Sequence, residues 1–282
     1  MPDFTLSPAV DFNELINSPE PDYNWLIPGL LERGDRVIFT GNEGKGKSTL
    51  LRQIAVQAAA GIHPFSLEPM PSVKVLFIDL ENGKGQVQRE FKKLSQLELP
   101  AGQLQIARWA SLDLNEATVR NAFSDYLVTT RPELLIIGPM YKLSAHLERE
   151  DESGQVGFFL DTCRNFLGFT LLMESHQPHS MFTTDGKKLR PERPFGSSLW
   201  MRWPEFGFCL EDAGTLRPWR GARDADREWP TKLKRDGFWP WMVDEQTCGI
   251  CGNELSGHQL KYCSDKCAAA GRKRDERSRK RG

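Results

Sequence analysis

The sequence predicts an α/β fold in which a mostly parallel sheet is covered by helices, followed by a small four-cysteine zinc finger. Three observations predict it. Strand-length apolar runs alternate with helix-length segments from about residue 34 to 173. A glycine-rich loop, Gly41 to Ser48, stands between the first strand and the first long helix. Four of the six cysteines crowd into the last 35 residues, at Cys248, Cys251, Cys263 and Cys267.

Length and composition set the frame. A chain of 282 residues accommodates one large domain and a small one. Hydrophobic residues at 39% and charged residues at 27% are those of an ordinary globular protein. No apolar run reaches the roughly 18 residues that a membrane span needs. The opening MPDFTLSPAVDF lacks the basic region and apolar stretch of a secretion signal. A cytosolic, cytoplasmic protein without a membrane partner is expected.

The first 32 residues are rich in Pro and Asp and read as an extended arm with one short helix, Asp11 to Ile16. A turn at Gly34-Asp35 leads into the first strand, Val37-Ile38-Phe39. The helix after the glycine-rich loop runs from Lys47 to Ala60, with no Gly or Pro inside it. Val73 to Ile78 is the second strand. Val87, Phe91 and Leu94 recur at helical spacing in the segment from Lys84 to Leu97. Leu104 to Trp109 is the third strand, and the helix Glu116 to Thr130 takes Asn115 as its N-cap. The fourth strand is Leu134 to Ile137. Val156, Phe159, Leu160 and Cys163 mark another helix, and Phe169 to Met173 is the fifth strand. From Phe206 onward the pattern changes to short strands, with Trp219, Trp229, Trp239 and Trp241 among them.

Gly41-Asn42-Glu43-Gly44-Lys45-Gly46-Lys47-Ser48, followed by Thr49, matches G-x-x-x-x-G-K-[ST] at every fixed position and lies between a strand and a helix. Glycines let the backbone wrap a phosphate with N–H groups pointing inward, and the helix N-terminus adds its positive end. Lys47 is expected to reach the β- and γ-phosphates of ATP and Ser48 to hold Mg²⁺. The chain therefore divides into an arm (1–32), an ATPase domain (33–245), and a zinc finger with a basic tail (246–282).

Phe77-Ile78-Asp79-Leu80-Glu81 ends the second strand, and ligands of parallel sheets bind at such carboxyl ends. Glu81 is the candidate base that polarises the attacking water. The fourth strand should end in the aspartate that supports Mg²⁺ in phosphate-loop enzymes. It ends instead in Gly138-Pro139. Either Asp79 substitutes, reaching Mg²⁺ through water, or the metal relies on Ser48 and the phosphates.

Taken together, Trp25 to Leu31 (WLIPGLL), the phosphate loop, Phe77 to Glu81 (FIDLE), Leu134 to Leu143 (LLIIGPMYKL) and Glu174-Ser175-His176 resemble the RecA-like ATPases. Within these, the chain is similar to the hexameric-helicase branch with RepA-type plasmid helicases and DnaB-like helicases. Phe195 to Leu199 (FGSSL) and Arg202 to Phe206 (RWPEF) look like phage-encoded members. The resemblance implies that Glu81 is the base and that His176, with Gln177 as its rival, senses the γ-phosphate. It implies a ring, hexameric in this branch, whose subunits exchange an arginine finger. Arg223, Arg227, Lys234 and Arg235 lie in the matching region, and Arg227 and Arg235 are favoured. It places DNA-contacting loops at Lys142 to Gly154 and Pro178 to Ser198. The second holds Lys187, Lys188, Arg190 and Arg193 near Phe182 and Phe195, a pattern suited to single-stranded DNA. The first is acidic, with Glu148, Glu150, Asp151 and Glu152, and is a poor DNA contact. Other replication proteins are expected partners.

Cys248-x2-Cys251-x11-Cys263-x3-Cys267 has the ligand spacing of a structural Zn²⁺ site, with His258 as an alternative ligand. Gly249 and Gly252 favour a tight knuckle. Cys163 and Cys209 lie in apolar surroundings and read as buried free thiols. From Cys248 to the end there are nine Lys/Arg against four Asp/Glu, a net of +5, so residues 1–247 carry −6 of the total −1. A basic tail from Arg272 to Arg281 on an acidic body points to an anionic partner. The expected function is an ATP-dependent motor acting on DNA in replication, a helicase or loader. A RecA/RadA-like recombination ATPase and a nucleotide-gated DNA-binding module without strong turnover are the alternatives. A small-molecule kinase fits less well, because no lid or acceptor site is visible.

Overall fold

The computed structural model describes residues 9–20, 22–178, 181–182, 188–189, 193–221, 227–235, 237–244, 248, 250–253 and 262–279. Helix α1 (Phe12–Asn17) starts at Asp11, whose carboxylate accepts from the backbone N–H groups of Asn13 and Glu14. None of its residues is buried. The short hairpin of β1 (Trp25–Ile27) and β2 (Leu31–Glu32) follows. Leu26, Ile27, Leu30 and Leu31 are buried in the main core. The end of the expected arm is thus core, because its WLIPGLL run carries apolar side chains that a solvated arm would leave in water.

Six elements of the expected pattern follow at close to their expected places: β3 (Arg36–Gly41), α2 (Lys47–Ala60), β4 (Val75–Asp79), α3 (Lys84–Lys92), β5 (Leu104–Arg108) and α4 (Ala117–Thr130). Next come β6 (Leu134–Gly138), α5 (Glu150–Leu167) and β7 (Thr170–Glu174). Asn115 does not cap α4: Glu116 holds the cap position, and the Asn115 amide instead donates to Ser144 and Glu152. Beyond β7 lie the hairpin of β8 (Met181–Phe182) and β9 (Lys188–Leu189), and α6 (Leu199–Arg202). The chain continues through β10 (Phe206–Leu210), β11 (Leu216–Arg220), β12 (Leu233–Lys234), β13 (Met242–Val243) and α7 (Asp265–Arg279).

The central sheet has the order β11-β10-β3-β7-β6-β4-β5. Only β11 runs antiparallel to its neighbour; the other pairings are parallel. Side chains alternate across it and define two cores. Val37, Phe39, Val75, Phe77 and Phe208 face α2 and the late residues Trp229, Leu233 and Trp241. Ile38, Leu76, Ile78, Ile137 and Met173 face α4, α5, Trp200 and Trp203. The parallel strands all present their carboxyl ends to one edge, where β3, β4, β6 and β7 converge on the phosphate loop. Among the described residues, no helix is long and apolar enough to cross a membrane.

Candidate functional site

The phosphate loop is held by close backbone approach. Gly41 has φ +150°, and a Cβ there would lie 2.6 Å from the Leu210 carbonyl oxygen of the neighbouring strand, so no side chain fits. Gly46, at φ +92°, turns the chain into α2, and its carbonyl accepts from Leu50 N–H and from Trp241 Nε1 at 3.1 Å. Lys47 is 4% exposed, and its Nζ donates to the Asn42 carbonyl at 2.9 Å. Burial pushes its pKa down, while Glu174 opposes the shift. Glu43 and Gly44 stand exposed at the lip of the loop, and Lys45 pairs with Asp212 at 2.9 Å. Thr49 lies on the first turn of α2. A cleft of ≈490 Å³ opens beside the loop, lined by Gly44, Lys45, Asp212, Leu233, Arg235 and Trp241.

Away from that cleft, a second group of side chains gathers at the strand ends beside Ser48. Glu81, just beyond β4, is exposed and accepts from the Tyr141 hydroxyl at 3.3 Å. Burial, then the charge of Glu81, pushes the Tyr141 pKa up. The Tyr141 ring lies 5.6 Å from the His176 ring. Tyr141 thus contacts both Glu81 and His176. The rival of His176, Gln177, turns away, donating to Cys209 Sγ at 3.0 Å. Glu174, at the end of β7, accepts from Ser48 Oγ at 2.8 Å and lies 4.0 Å from Lys47 Nζ. Ser48, Asp79, Glu81, Asn82, Gly138 and Glu174 line a cavity of ≈10 Å³, about the size of one water. Tyr141 and Glu174 escaped the sequence reading, although a carboxylate at the end of a parallel strand was itself a readable signal.

Three expected site residues have other work. Both oxygens of Asp79 are engaged: Oδ1 accepts from the backbone N–H groups of Glu81 and Asn82, and Oδ2 from Arg52 at 3.1 Å. The Asn82 amide adds bonds to both. Burial alone would raise its pKa, but these donors hold it below the usual carboxylate value. Asp79 thus caps the turn after β4 and neutralises Arg52, and Ser48 finds its carboxylate in Glu174. Arg227 is engaged within its own chain. Its guanidinium is 5% exposed, pairs with Asp35 at 3.2 Å and Glu32 at 3.6 Å, and lies over the Trp25 and Phe206 rings. Arg235 serves its own loop: it stacks 4.4 Å from the Trp241 centroid and donates to the Lys45 carbonyl.

The acidic segment expected as a first DNA loop is built into a helix start. Glu150, Asp151 and Glu152 form the first turn of α5, where carboxylates complement the helix dipole. Glu150 also pairs with Arg202, and Glu152 accepts from Asn115 and Ser144. Arg223, Lys187, Arg190, Gly249 and His258, and the side chains of Phe182 and Lys188, lie outside the described residues.

Near the C-terminus, the sulfurs of Cys248, Cys251, Cys263 and Cys267 lie within 4.8 Å of one another. Cys251–Cys263, Cys251–Cys267 and Cys263–Cys267 are 3.3, 3.6 and 3.7 Å apart. Four thiolates around Zn²⁺ at about 2.3 Å stand roughly 3.8 Å from one another, so this set fits the metal. Gly252, at φ +71°, closes the knuckle with its N–H on the Cys248 carbonyl at 2.9 Å. Burial opposes ionisation of Cys248, but backbone N–H groups of Cys251, Cys263 and Ile250 aimed at its sulfur bring the pKa down to about 6. Cys267 sits on the first turn of α7.

The fold and cleft can now be set against known proteins. No curated protein matches the sequence. A KaiC-like protein from the hyperthermophilic archaeon Pyrococcus horikoshii OT3 has a similar structure, with a TM-score of 0.51 and 18% identity. The alignment covers 78% of this chain and 93% of that one. The model of the AAA domain family matches residues 3–180, which span the phosphate loop, Glu81, Gly138 and His176. The chain belongs to the AAA domain family, and its fold is that of a RecA-like phosphate-loop ATPase.

Proposed function

We propose that this protein is an ATP-dependent motor that acts on DNA, of the replicative-helicase kind, and that it works as a homo-oligomeric ring. The observation that carries the nucleotide chemistry is the gathering of loop and strand-end side chains at one small cavity: Ser48 from the loop and Glu81 and Glu174 from the strand ends line it, Lys47 lies 4.0 Å from Glu174, and Tyr141 bonds Glu81. Lys47 and the loop N–H groups bind and orient the β- and γ-phosphates. Ser48 would hold Mg²⁺ against the phosphates, and the ion would supply charge neutralisation there. Glu81 takes the proton of the attacking water, and Tyr141 fixes the carboxylate that receives it. His176, whose ring lies 5.6 Å from that of Tyr141, relays the state of the γ-phosphate to the Pro178–Ser198 segment that follows it in sequence.

The DNA side of the proposal rests on charge and on the metal knuckle. Residues 248–282 carry a net +5 against −6 for the rest, and α7 grows directly from the cysteine cluster. Zn²⁺ there would be structural, since four sulfurs fill its shell. A rigid basic helix suits a nucleic-acid backbone, and binding through it falls with rising salt.

Phosphate release with and without single-stranded DNA tests the reading. Wild type should turn over ATP and be stimulated by DNA. Glu81→Gln should retain ATP and slow turnover about 10²- to 10⁴-fold. Unchanged turnover in Glu81→Gln would remove the assigned base, and indifference of wild type to DNA would remove the motor reading.

A further inference from the structure

We propose that Glu174 is the carboxylate that positions the nucleotide's divalent cation, taking over from the neighbouring strand the place that an acid at residue 138 would fill. The inference rests on the nucleotide-binding reading above and assigns the metal's support within it.

Three observations carry it. The first is steric. A Cβ built on Gly138 would lie 2.5 Å from the Glu174 Cβ, 3.2 Å from its Cα and 3.3 Å from its backbone nitrogen. β6 and β7 are adjacent and parallel, with Ile137 opposite Met173, so Gly138 and Glu174 are cross-strand neighbours at the sheet edge. One side chain fits there, and a glycine at 138 leaves the space to Glu174.

The second is the partner. The Glu174 Oε1 accepts from Ser48 Oγ at 2.8 Å, the hydroxyl that the loop offers to the metal. The third is the space. The water-sized cavity of ≈10 Å³ is bounded by both residues and by Glu81. Asp79 lines the same cavity but spends both oxygens on Arg52, Asn82 and the Glu81 N–H. Among the described residues no guanidinium pairs with Glu174, and Lys47 Nζ lies 4.0 Å from it. Once phosphates draw Lys47 to themselves, Glu174 remains beside Ser48 as the carboxylate facing the cation shell.

Two electrostatic consequences separate this role from a merely structural one. Without metal, Glu174 repels the triphosphate, so neutralising it should leave binding unchanged or tighter. With metal, Glu174 attracts the cation, so neutralising it should weaken the gain that Mg²⁺ gives. A residue that only packed the sheet edge would move neither balance.

The test is a Mg²⁺ titration of fluorescent ATP-analogue binding, with a parallel measurement in EDTA. Glu174→Gln preserves shape. It should bind the analogue in EDTA at least as tightly as wild type, while its Mg²⁺ midpoint rises about 10- to 100-fold, the usual cost of losing an outer partner of a metal. The exchange variant Gly138→Asp/Glu174→Gly moves the carboxylate back one strand and should recover most of that loss. It gives a second reading should Glu174→Gln fold poorly. A Glu174→Gln midpoint within about twofold of wild type, or an exchange variant that binds analogue but shows no recovery, would overturn the assignment. If wild type binds no analogue at all, with or without Mg²⁺, the nucleotide reading itself fails; a failure of the inference alone leaves wild-type binding intact.

Discussion

The two walls of the nucleotide site are built from different materials. The phosphate-loop wall is backbone, locked by Gly41 against β10, by Trp241 on the Gly46 carbonyl and by Arg235 on the Lys45 carbonyl. Of its charged side chains, Glu43 is exposed, Lys45 pairs with Asp212, and Lys47 is buried. The other wall is side chains on three strand ends, with Glu81 exposed and Glu174 and His176 half-buried. Backbone donors cannot be repositioned without breaking the fold, whereas single side chains can be exchanged between neighbouring strands. Binding and turnover should therefore separate cleanly under mutation, and the metal's support can migrate from one strand to another while the loop stays constant.

The largest effect should come from the rigid wall. Lys47→Ala removes the buried ammonium that the phosphates need, and nucleotide affinity should fall by about two orders of magnitude or more, since charge-assisted bonds to phosphate are the strong ones. Isothermal titration with an ATP analogue reads this directly, and retained affinity would break the contrast between the walls. Next is Asp79→Asn, which leaves Arg52 buried without its ion partner. Destabilisation of about 3–5 kcal/mol is expected from breaking such a pair, visible in denaturant melts, with the Mg²⁺ midpoint unmoved in whatever fraction remains folded. A shifted midpoint would return Asp79 to the metal. Cys263→Ser should release about one Zn²⁺ per chain, measured by elemental analysis, while nucleotide affinity stays as in wild type. Smallest is Tyr141→Phe, which removes one long hydrogen bond to Glu81. Turnover should drop roughly tenfold or less, in line with about 1 kcal/mol for such a bond, with no change in analogue affinity.

Legibility followed the same division. The loop and its helix were readable to the residue, and the preceding strand to within two residues, because their information is local: Gly41, Gly46, Lys47 and Ser48 fall within eight residues, and α2 begins at Lys47 as the motif requires. The parallel sheet followed from alternation of strand and helix, and the cysteine cluster from its spacing. What could not be read was which strand ends touch. Gly138 announced a missing carboxylate, but only the β6–β7 pairing shows that Glu174 fills its space. Asp79, at the end of its strand, was one of two supports offered for the metal; the turn after β4 folds Asn82 and the Glu81 N–H back onto it. The contacts of Arg227 and Arg235 were hidden for the same reason. Their partners, Asp35 and the Lys45 carbonyl, are distant in sequence and nothing local marks them.

The position of β3 in the sheet bears on how this chain comes to fold. Val37 is flanked by Leu172 on one side and by Phe206 on the other, so both neighbours of the strand that carries the phosphate loop are synthesised long after it. During translation the most recognisable part of the sequence is an unpaired edge waiting for its sheet. Pairings this distant are slow to form, because loop closure must be paid before any contact rewards it. A chain cut at residue 180, where the family match ends, would keep β7 but lose β10, Trp229, Leu233 and Trp241 from the same core. The phosphate loop is thus encoded early and completed late, and a ribosome-released nascent chain gains its nucleotide cleft only after the tryptophan-rich segment has emerged.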